Sequence, residues 1–160
     1  MNRLTLPEGL HHAAFDQKSL WHLWERIAPF DELFADDKMK DPSVFFKRLL
    51  RHDTIVLLFE EGFFYLTNMQ IGLRGEAHFC VFDHKLSARM QLFKDALLWA
   101  FLEFDLHRIE TYVAEYAKAV KRFITKSLGF KSEGVMRKRV FHKGRLLDME
   151  IFSILREEVL

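Results

Sequence analysis

The residue types that most often do chemistry are scattered through this sequence rather than grouped. Its eight histidines include the adjacent pair His11 and His12, and no spacing of His and Cys matches a zinc site. The single cysteine, Cys80, lies in an apolar run typical of a buried strand, which argues against a cysteine nucleophile. We therefore expect neither a metal ion nor covalent cysteine chemistry.

A basic patch occupies residues 137–145, where Arg137, Lys138 and Arg139 are followed by Lys143 and Arg145. Basic patches can bind nucleic acid, but the formal net charge of the chain is only +1. An exposed hairpin with alternating charges explains the patch equally simply. We therefore do not expect a nucleic-acid partner.

Length and composition limit the class of protein. The 160 residues suit one domain over residues 1–160, and 49% hydrophobic residues with 17 Phe exclude a disordered chain. The N-terminal stretch lacks the apolar core of a signal peptide, and charges interrupt every apolar run before it reaches the length of a membrane span. One cysteine fits a reducing compartment. We expect a soluble, cytoplasmic protein without a membrane partner.

The first half of the chain predicts two helices followed by three strands. Apolar residues at helical spacing predict a helix over residues 19–27, with Ser19 as its cap. Asp41 before Pro42 predicts the start of a second helix over residues 43–51. Short β-branched and aromatic runs predict strands over residues 54–60, 63–67 and 76–83.

The second half predicts a long helix, a strand, a helix and a hairpin. Apolar spacings of three and four predict the long helix over residues 87–104, and residues 107–113 form a strand by composition. A helix over residues 117–126 ends before Gly129, and Gly144 predicts a hairpin turn between strands over residues 135–141 and 146–155. This order predicts an α/β (α+β) fold: one mixed, mostly antiparallel, twisted sheet with helices on both faces.

A succession of short motifs in the second half points to a known family. In chain order these motifs are His107-Arg108-Ile109-Glu110, Leu128-Gly129-Phe130, Glu133-Gly134, the turn Lys143-Gly144-Arg145, and Asp148. The succession resembles the C-terminal half of the GNAT N-acetyltransferase superfamily, in particular the branch that acetylates ribosomal-protein N-termini. The resemblance covers about residues 86–158 and is only architectural before them. We interpret most of these residues as builders of the fold, because turn glycines and a core phenylalanine need no ligand to explain them.

The resemblance implies a binding site for acetyl-CoA, or another acyl-CoA, as cosubstrate. In the family, the cosubstrate lies where two parallel strands part, and backbone amides at the start of the long helix hold its pyrophosphate. The family loop reads Q/R-x-x-G-x-G/A, which places His84 at the Gln/Arg position and Ser87 and Arg89 where small residues are usual. Arg89 is the larger departure, since its side chain either pairs with a phosphate or blocks the cleft. The implied cofactor-binding residues are Phe82, Asp83, His84, Lys85, Ser87, Ala88, Arg89 and Met90.

The catalytic groups follow the resemblance less closely. Relatives often use a tyrosine as general acid towards the departing thiolate, and Tyr116 is the candidate for that role here, although the usual position lies near residues 123–125. Residues 114–118 also lack the asparagine that many relatives carry. The general base stays open among Glu60, Glu76 and Asp83. A backbone amide near Val81 or Phe82 is expected to stabilise the oxyanion.

The resemblance therefore implies an acyl-CoA-dependent N-acyltransferase. Such an enzyme would move an acetyl group from acetyl-CoA to a primary amine of a protein N-terminus or a small molecule. The alternative is a non-catalytic GNAT-like domain that binds a partner, with or without CoA. The expected partners are acyl-CoA and an amine acceptor, and the sequence leaves a homodimer open.

Overall fold

A single sheet organises the chain. The computed structural model describes residues 4–82 and 86–160, and within them seven strands lie in the order β1-β2-β3-β4-β5-β7-β6. The strands are β1 (His11–His12), β2 (Ile55–Phe59), β3 (Gly62–Gln70), β4 (Arg74–Val81), β5 (Arg108–Ala114), β6 (Lys131–His142) and β7 (Arg145–Leu155). Strands β4 and β5 are parallel, and the other neighbouring pairs are antiparallel. The prediction of a mixed, mostly antiparallel sheet is confirmed.

Four α-helices within the described residues cover this sheet. They are α1 (Gln17–Ile27), α2 (Pro42–Leu49), α3 (Met90–Glu103) and α4 (Lys118–Lys126). Short 3-10 helices lie at Asp31–Leu33, Asp37–Lys40, Leu86–Arg89 and Arg156–Glu158. None of the helices in residues 4–82 and 86–160 has the length and apolar run that a bilayer crossing needs.

The strands alternate their side chains between two separate cores. Phe64 and Val81 pack with α3 and α4, whereas Phe63 and Cys80 pack with α1 and α2. Side chains of successive strand residues point to opposite faces of a sheet, so neighbouring positions serve different cores. Helices therefore lie on both faces, as predicted, and Cys80 is a buried core residue.

Local capping chemistry sets the first two helices. Asp16, rather than Ser19, caps α1: the Asp16 carboxylate accepts from the Ser19 amide at 2.7 Å, and the Ser19 hydroxyl accepts from the Asp16 amide at 2.9 Å. The predicted cap was therefore wrong by one helical turn. At α2 the prediction is confirmed, since Asp41 caps the helix and Pro42 is its first residue.

Several helix and strand boundaries in the structure differ from the predicted ones. The long helix α3 begins at Met90, because residues 86–89 form a 3-10 turn instead of its first α-helical turn. Strand β6 begins at Lys131 rather than at residue 135, and the two-residue strand β1 was not predicted. The predicted turn glycines are confirmed, as Gly129 and Gly144 have φ values of 85° and 75°.

At the start of β3 the backbone packs closely against the neighbouring strand β4. A Cβ on Gly62 would lie 2.0 Å from the carbonyl oxygen of Cys80 on the neighbouring strand β4. We predict that Gly62→Ala lowers the free energy of unfolding by about 2–3 kcal/mol, because backbone must move to make room. Urea denaturation measures this loss.

Gly72→Ala is the matched control, since a Cβ there meets nothing within 4 Å and strains only the φ of 79°. It should cost about 1 kcal/mol. Equal losses in the two variants would contradict the close approach at Gly62.

Candidate active site

Strands β4 and β5 separate about halfway along their length. They pair at three positions, of which the last joins Glu76 to Glu110. Beyond this point β4 stays on β3 as far as Val81, while β5 stays on β7 as far as Ala114. Because each strand follows its outer neighbour, the twist of the sheet opens a gap whose facing backbone groups have no sheet partner. A cleft of about 730 Å³ lies at this gap.

An ion network joins β4 and β5 in the segment where the two strands are still paired. Arg74 Nη1 on β4 lies 2.7 Å from Glu110 Oε1 on β5, and Arg108 Nε lies 3.0 Å from Glu110 Oε2. Arg108 also donates two 2.6 Å hydrogen bonds to Glu133 on β6, which hold the pKa of Glu133 at about 2. Arg108, Glu110 and Glu133 all belong to the motifs that carried the resemblance. Their contacts support the interpretation that these residues build the fold.

The face of the cleft towards α3 and α4 is apolar. Phe79 on β4 packs edge-on against Phe93 of α3, with ring centroids 4.7 Å apart. Phe123, Val120 and Ile124 of α4 line the same part of the cleft. A flexible chain with few charges suits this surface, since apolar side chains gain from contact that excludes water.

The opposite face of the cleft carries a linked set of polar groups. The Thr67 hydroxyl lies 3.4 Å from Glu76 Oε2 and 3.0 Å from His78 Nε2. Asn68 Nδ2 donates to Glu76 Oε1 at 2.8 Å. A carboxylate only accepts hydrogen bonds, so the Thr67 hydroxyl donates to Glu76. His78 Nε2 has two polar neighbours, the Thr67 oxygen and the Nη2 atom of Arg48, which lies 3.4 Å away.

The His78 ring is held firmly yet reaches the cleft. It stacks on Tyr65 with ring centroids 4.4 Å apart, and its side chain is 19% exposed. Burial lowers the pKa of His78, the Glu76 carboxylate opposes this shift, and the Arg48 guanidinium 3.4 Å from Nε2 adds to it. His78 is therefore a neutral imidazole near pH 7, able to accept a proton.

Tyr112 on β5 occupies the position that corresponds to His78 on β4. Each residue lies two positions beyond the last strand pair, Glu76 with Glu110. The Tyr112 hydroxyl donates to Glu110 Oε1 at 3.2 Å. Burial, together with the charges of Glu110 and Glu76, raises the pKa of Tyr112 to about 12, so its hydroxyl stays protonated.

The predicted phosphate-binding residues lie at the start of α3. Ser87 and Ala88 are exposed in the 3-10 turn, and Met90 is the first residue of α3. Arg89 forms an ion pair with Glu61 in the β2–β3 turn and does not line the cleft. The mouth of the cleft is therefore not blocked by Arg89. The remaining predicted cofactor-binding residues lie outside the described part of the chain: Asp83, His84 and Lys85.

The backbone at the end of β4 separates the two predicted oxyanion donors. The Phe82 amide donates to the carbonyl of Glu61 at 2.8 Å, so it is already occupied. Amides of successive strand residues point to opposite edges, which directs the Val81 amide towards the gap. The Phe82 ring lies under the guanidinium of Arg26, 3.9 Å from its carbon. Of the two predicted oxyanion donors, the Val81 amide therefore remains a candidate and the Phe82 amide does not.

Known structures share this architecture. A spermidine N-acetyltransferase from Vibrio cholerae, solved in complex with CoA and spermine, is 20% identical with a TM-score of 0.70, over 96% of this chain and 99% of that one. A point mutant of that enzyme is 18% identical with a TM-score of 0.74, over 96% and 98%. A probable acetyltransferase is 17% identical with a TM-score of 0.72, over 96% and 97%. No protein-family model and no curated protein sequence matches the chain.

The chain has the GNAT acyl-CoA N-acyltransferase fold. The predicted fold is thereby confirmed over nearly the whole chain. At these sequence identities the likeness concerns the fold, and the site must be argued from its own residues.

Within the GNAT fold, Tyr116 lies between β5 and α4 and lines the cleft. Its hydroxyl donates to the carbonyls of Glu32 at 3.2 Å and Phe34 at 3.5 Å, and its ring stacks on His142. Burial raises the pKa of Tyr116, so the phenol stays protonated. In this arrangement Tyr116 also ties the start of α4 to the segment between α1 and α2.

The structure adds polar residues that the sequence analysis did not single out. Of the three carboxylates named as general-base candidates, Glu76 lines the cleft, Glu60 is exposed in the β2–β3 turn, and Asp83 is not described. His78 lies two residues after Glu76, and side chains at that spacing share one face of a strand. This spacing was the available signal for His78.

We predict that NMR titration places the pKa of His78 below its ordinary value of 6.5, because burial disfavours the imidazolium. The unfolded chain then binds a proton more readily than the folded one, so stability falls as the pH drops from 6.5 towards the folded pKa. Glu76→Gln should lower the pKa of His78 further, since the carboxylate favours the imidazolium.

Glu133→Gln serves as the control, because Glu133 pairs with Arg108 and Ser153 and has no contact with His78 in the described structure. A His78 pKa above 6.5, or one that rises in Glu76→Gln, would contradict the assigned hydrogen bonds.

Proposed function

We propose that this protein is an acyl-CoA-dependent N-acetyltransferase that acetylates a primary amine of a small molecule or a protein N-terminus. The observation that carries the proposal is the cleft between β4 and β5, which has an apolar face towards α4 and a neutral imidazole on the opposite face. Two substrates can therefore enter from opposite faces of the sheet and meet at the gap.

The residues present fit an acyl-CoA at both ends of the cleft. The apolar face around Phe79 and Phe123 suits the pantetheine arm, and the start of α3 would hold the diphosphate through backbone amides of Ser87, Ala88, Arg89 and Met90. Among the described residues, no side chain caps the amides at this helix start. When bound, the thioester supplies the activated acetyl group.

Acetyl transfer makes one C–N bond and breaks one C–S bond. The unprotonated ring nitrogen of His78 takes the proton that the amine loses, and the Glu76 carboxylate, 3.7 Å from Nε2, stabilises the resulting imidazolium. The Val81 amide faces the place where negative charge develops on the carbonyl oxygen. The departing thiolate gains a proton from a phenol of the cleft, for which Tyr116 and Tyr112 are the two candidates.

A second candidate function is a GNAT-like domain that binds a partner without catalysis. The sequence contains no glycine between Gly75 and Gly129, so the start of α3 lacks the small residues that let phosphates approach a backbone closely. Arg89 is also paired with Glu61 instead of being free for a phosphate. Measured CoA binding and turnover separate the two functions.

We predict that calorimetry detects binding of acetyl-CoA and that Ser87→Glu weakens it about tenfold or more, because a carboxylate beside the diphosphate repels it. The control is Ser43→Glu, the same change at the start of α2. Absence of heat at millimolar acetyl-CoA would overturn the proposed enzyme. Equal affinities of the two variants would show that the diphosphate lies elsewhere.

We predict that His78→Gln lowers kcat about 10²- to 10⁴-fold with acetyl-CoA affinity unchanged, since the amide cannot take the amine proton. Thiol release with a panel of amine acceptors provides the measurement. His107→Gln, at an exposed histidine outside the cleft, is the control and should retain its activity. Equal kcat in wild type and His78→Gln would remove His78 as the base.

A further inference from the structure

Arg48 presents a cation to the acceptor face of the cleft and has no carboxylate in contact with it among the described residues. Its Nη2 atom lies 3.4 Å from His78 Nε2, and Nη1 contacts the sulfur of Met39 at 3.9 Å. Neither neighbour carries a negative charge at neutral pH. In the part of the chain that the structure describes, no carboxylate oxygen lies within 4.0 Å of the Arg48 guanidinium.

Two other arginines near the cleft, Arg51 and Arg74, have carboxylate partners. Arg51, three residues after Arg48, makes two 2.8 Å hydrogen bonds to Asp53, and Arg74 lies 2.7 Å from Glu110. A partly buried guanidinium loses hydrogen bonds to water, and pairing with a carboxylate normally compensates for this cost. Arg48 thus differs from Arg51 and Arg74 in having no carboxylate in contact, at the position where an acceptor would lie.

The carboxylate beside His78 has other hydrogen-bond partners. Glu76 accepts from Asn68 at 2.8 Å and from Thr67 at 3.4 Å, so it interacts with Arg48 through charge alone and not through a hydrogen bond. Three other cations line the same cleft: Arg51 is paired with Asp53, whereas Lys47 and Arg139 are exposed to solvent. The partly buried Arg48 guanidinium therefore has donor capacity left over for a ligand.

We infer that the acceptor carries a carboxylate close to its reactive primary amine, as an amino acid does, and that Arg48 binds this carboxylate. The inference rests on the proposed function and names its acceptor class. A guanidinium offers two parallel N–H donors that match the two oxygens of a carboxylate. One such contact would hold the acceptor with its amine directed to His78, which stands next to Arg48.

The Arg48 charge disfavours a polyamine next to His78. One solved structure of similar fold is a complex with CoA and spermine, which carries several positive charges and no negative one. Here Glu32, Asp36 and Glu76 also line the cleft, but Arg48 is the charged group in contact with His78 and would repel an ammonium group there, and repulsion of the wrong substrate contributes to specificity as attraction of the right one does. The acceptor classes of the two proteins should therefore differ.

The test compares acceptors that differ only in the carboxylate. Each of the common L-amino acids is assayed beside its carboxamide and its decarboxylated amine, with spermidine included, by thiol release from acetyl-CoA. We expect at least one amino acid to show a kcat/KM about tenfold or more above its carboxamide. Arg48→Met should remove this preference by lowering kcat/KM for the amino acid alone, and Arg48→Lys should restore part of it.

Arg122→Met is the control, since Arg122 is an exposed arginine of α4 outside the cleft. It should keep the preference of the wild type, and thermal melting verifies that every variant is folded. Equal kcat/KM for amino acids and carboxamides, or a preference for spermidine that Arg48→Met leaves unchanged, would overturn the inference. The proposed function would survive either result, because it fails only if acetyl-CoA does not bind or no amine is acetylated.

A binding measurement decides the case in which acetyl-CoA binds but turnover is too slow to compare. Amino acids and their carboxamides are titrated by calorimetry into the protein saturated with CoA. Tighter binding of an amino acid that Arg48→Met abolishes supports the inference. Equal affinity for the amino acid and its carboxamide, or no detectable binding of either, contradicts the inference.

Discussion

The separation of β4 from β5 beyond Glu76 and Glu110 is the constraint on which the rest of the structure depends. Each strand keeps its outer neighbour, so neither can follow the other. The gap leaves backbone donors and acceptors that water or a ligand must satisfy. The ion pair between Arg74 and Glu110 joins the first paired position of β4 to the last paired position of β5, so it holds the two strands together just before the gap. The cleft thus forms because β4 and β5 stop hydrogen-bonding to each other, and not because a loop is inserted.

The recognisable motifs and the candidate chemistry occupy different parts of the molecule. Arg108 and Glu133 are joined by two hydrogen bonds that tie β5 to β6 across β7, and neither residue is part of the proposed chemistry. Motif residues of this kind report the fold because they satisfy one another. Residues that meet a substrate must instead keep some hydrogen-bonding capacity unused, as the His78 imidazole and the Arg48 guanidinium do.

Sequence patterns predicted the fold well because helix periods, turn glycines and the ordered motifs are local signals. The polar face of the cleft was harder to predict from the sequence. The contact of Thr67 with Glu76 depends on the register of β3 against β4, and that of Arg48 with His78 on how α2 packs over the sheet. The helix start at Met90 was misplaced because residues 86–89 adopt 3-10 geometry, which side-chain periodicity does not distinguish from an α-helical turn.

The pairing of Arg89 with Glu61 shows how a departure from a family pattern can be absorbed by its surroundings. A long cation replaces a small residue at the start of α3, and without a partner it would lie free at the mouth of the cleft. Glu61, in the turn between β2 and β3, holds this side chain aside, and the neighbouring Phe82 amide is bound to the same residue's carbonyl. The β2–β3 turn thereby fixes the end of β4 and the start of α3 together. Because Arg89 is neutralised there, an anion bound at this helix start would depend on backbone amides rather than on side-chain charge.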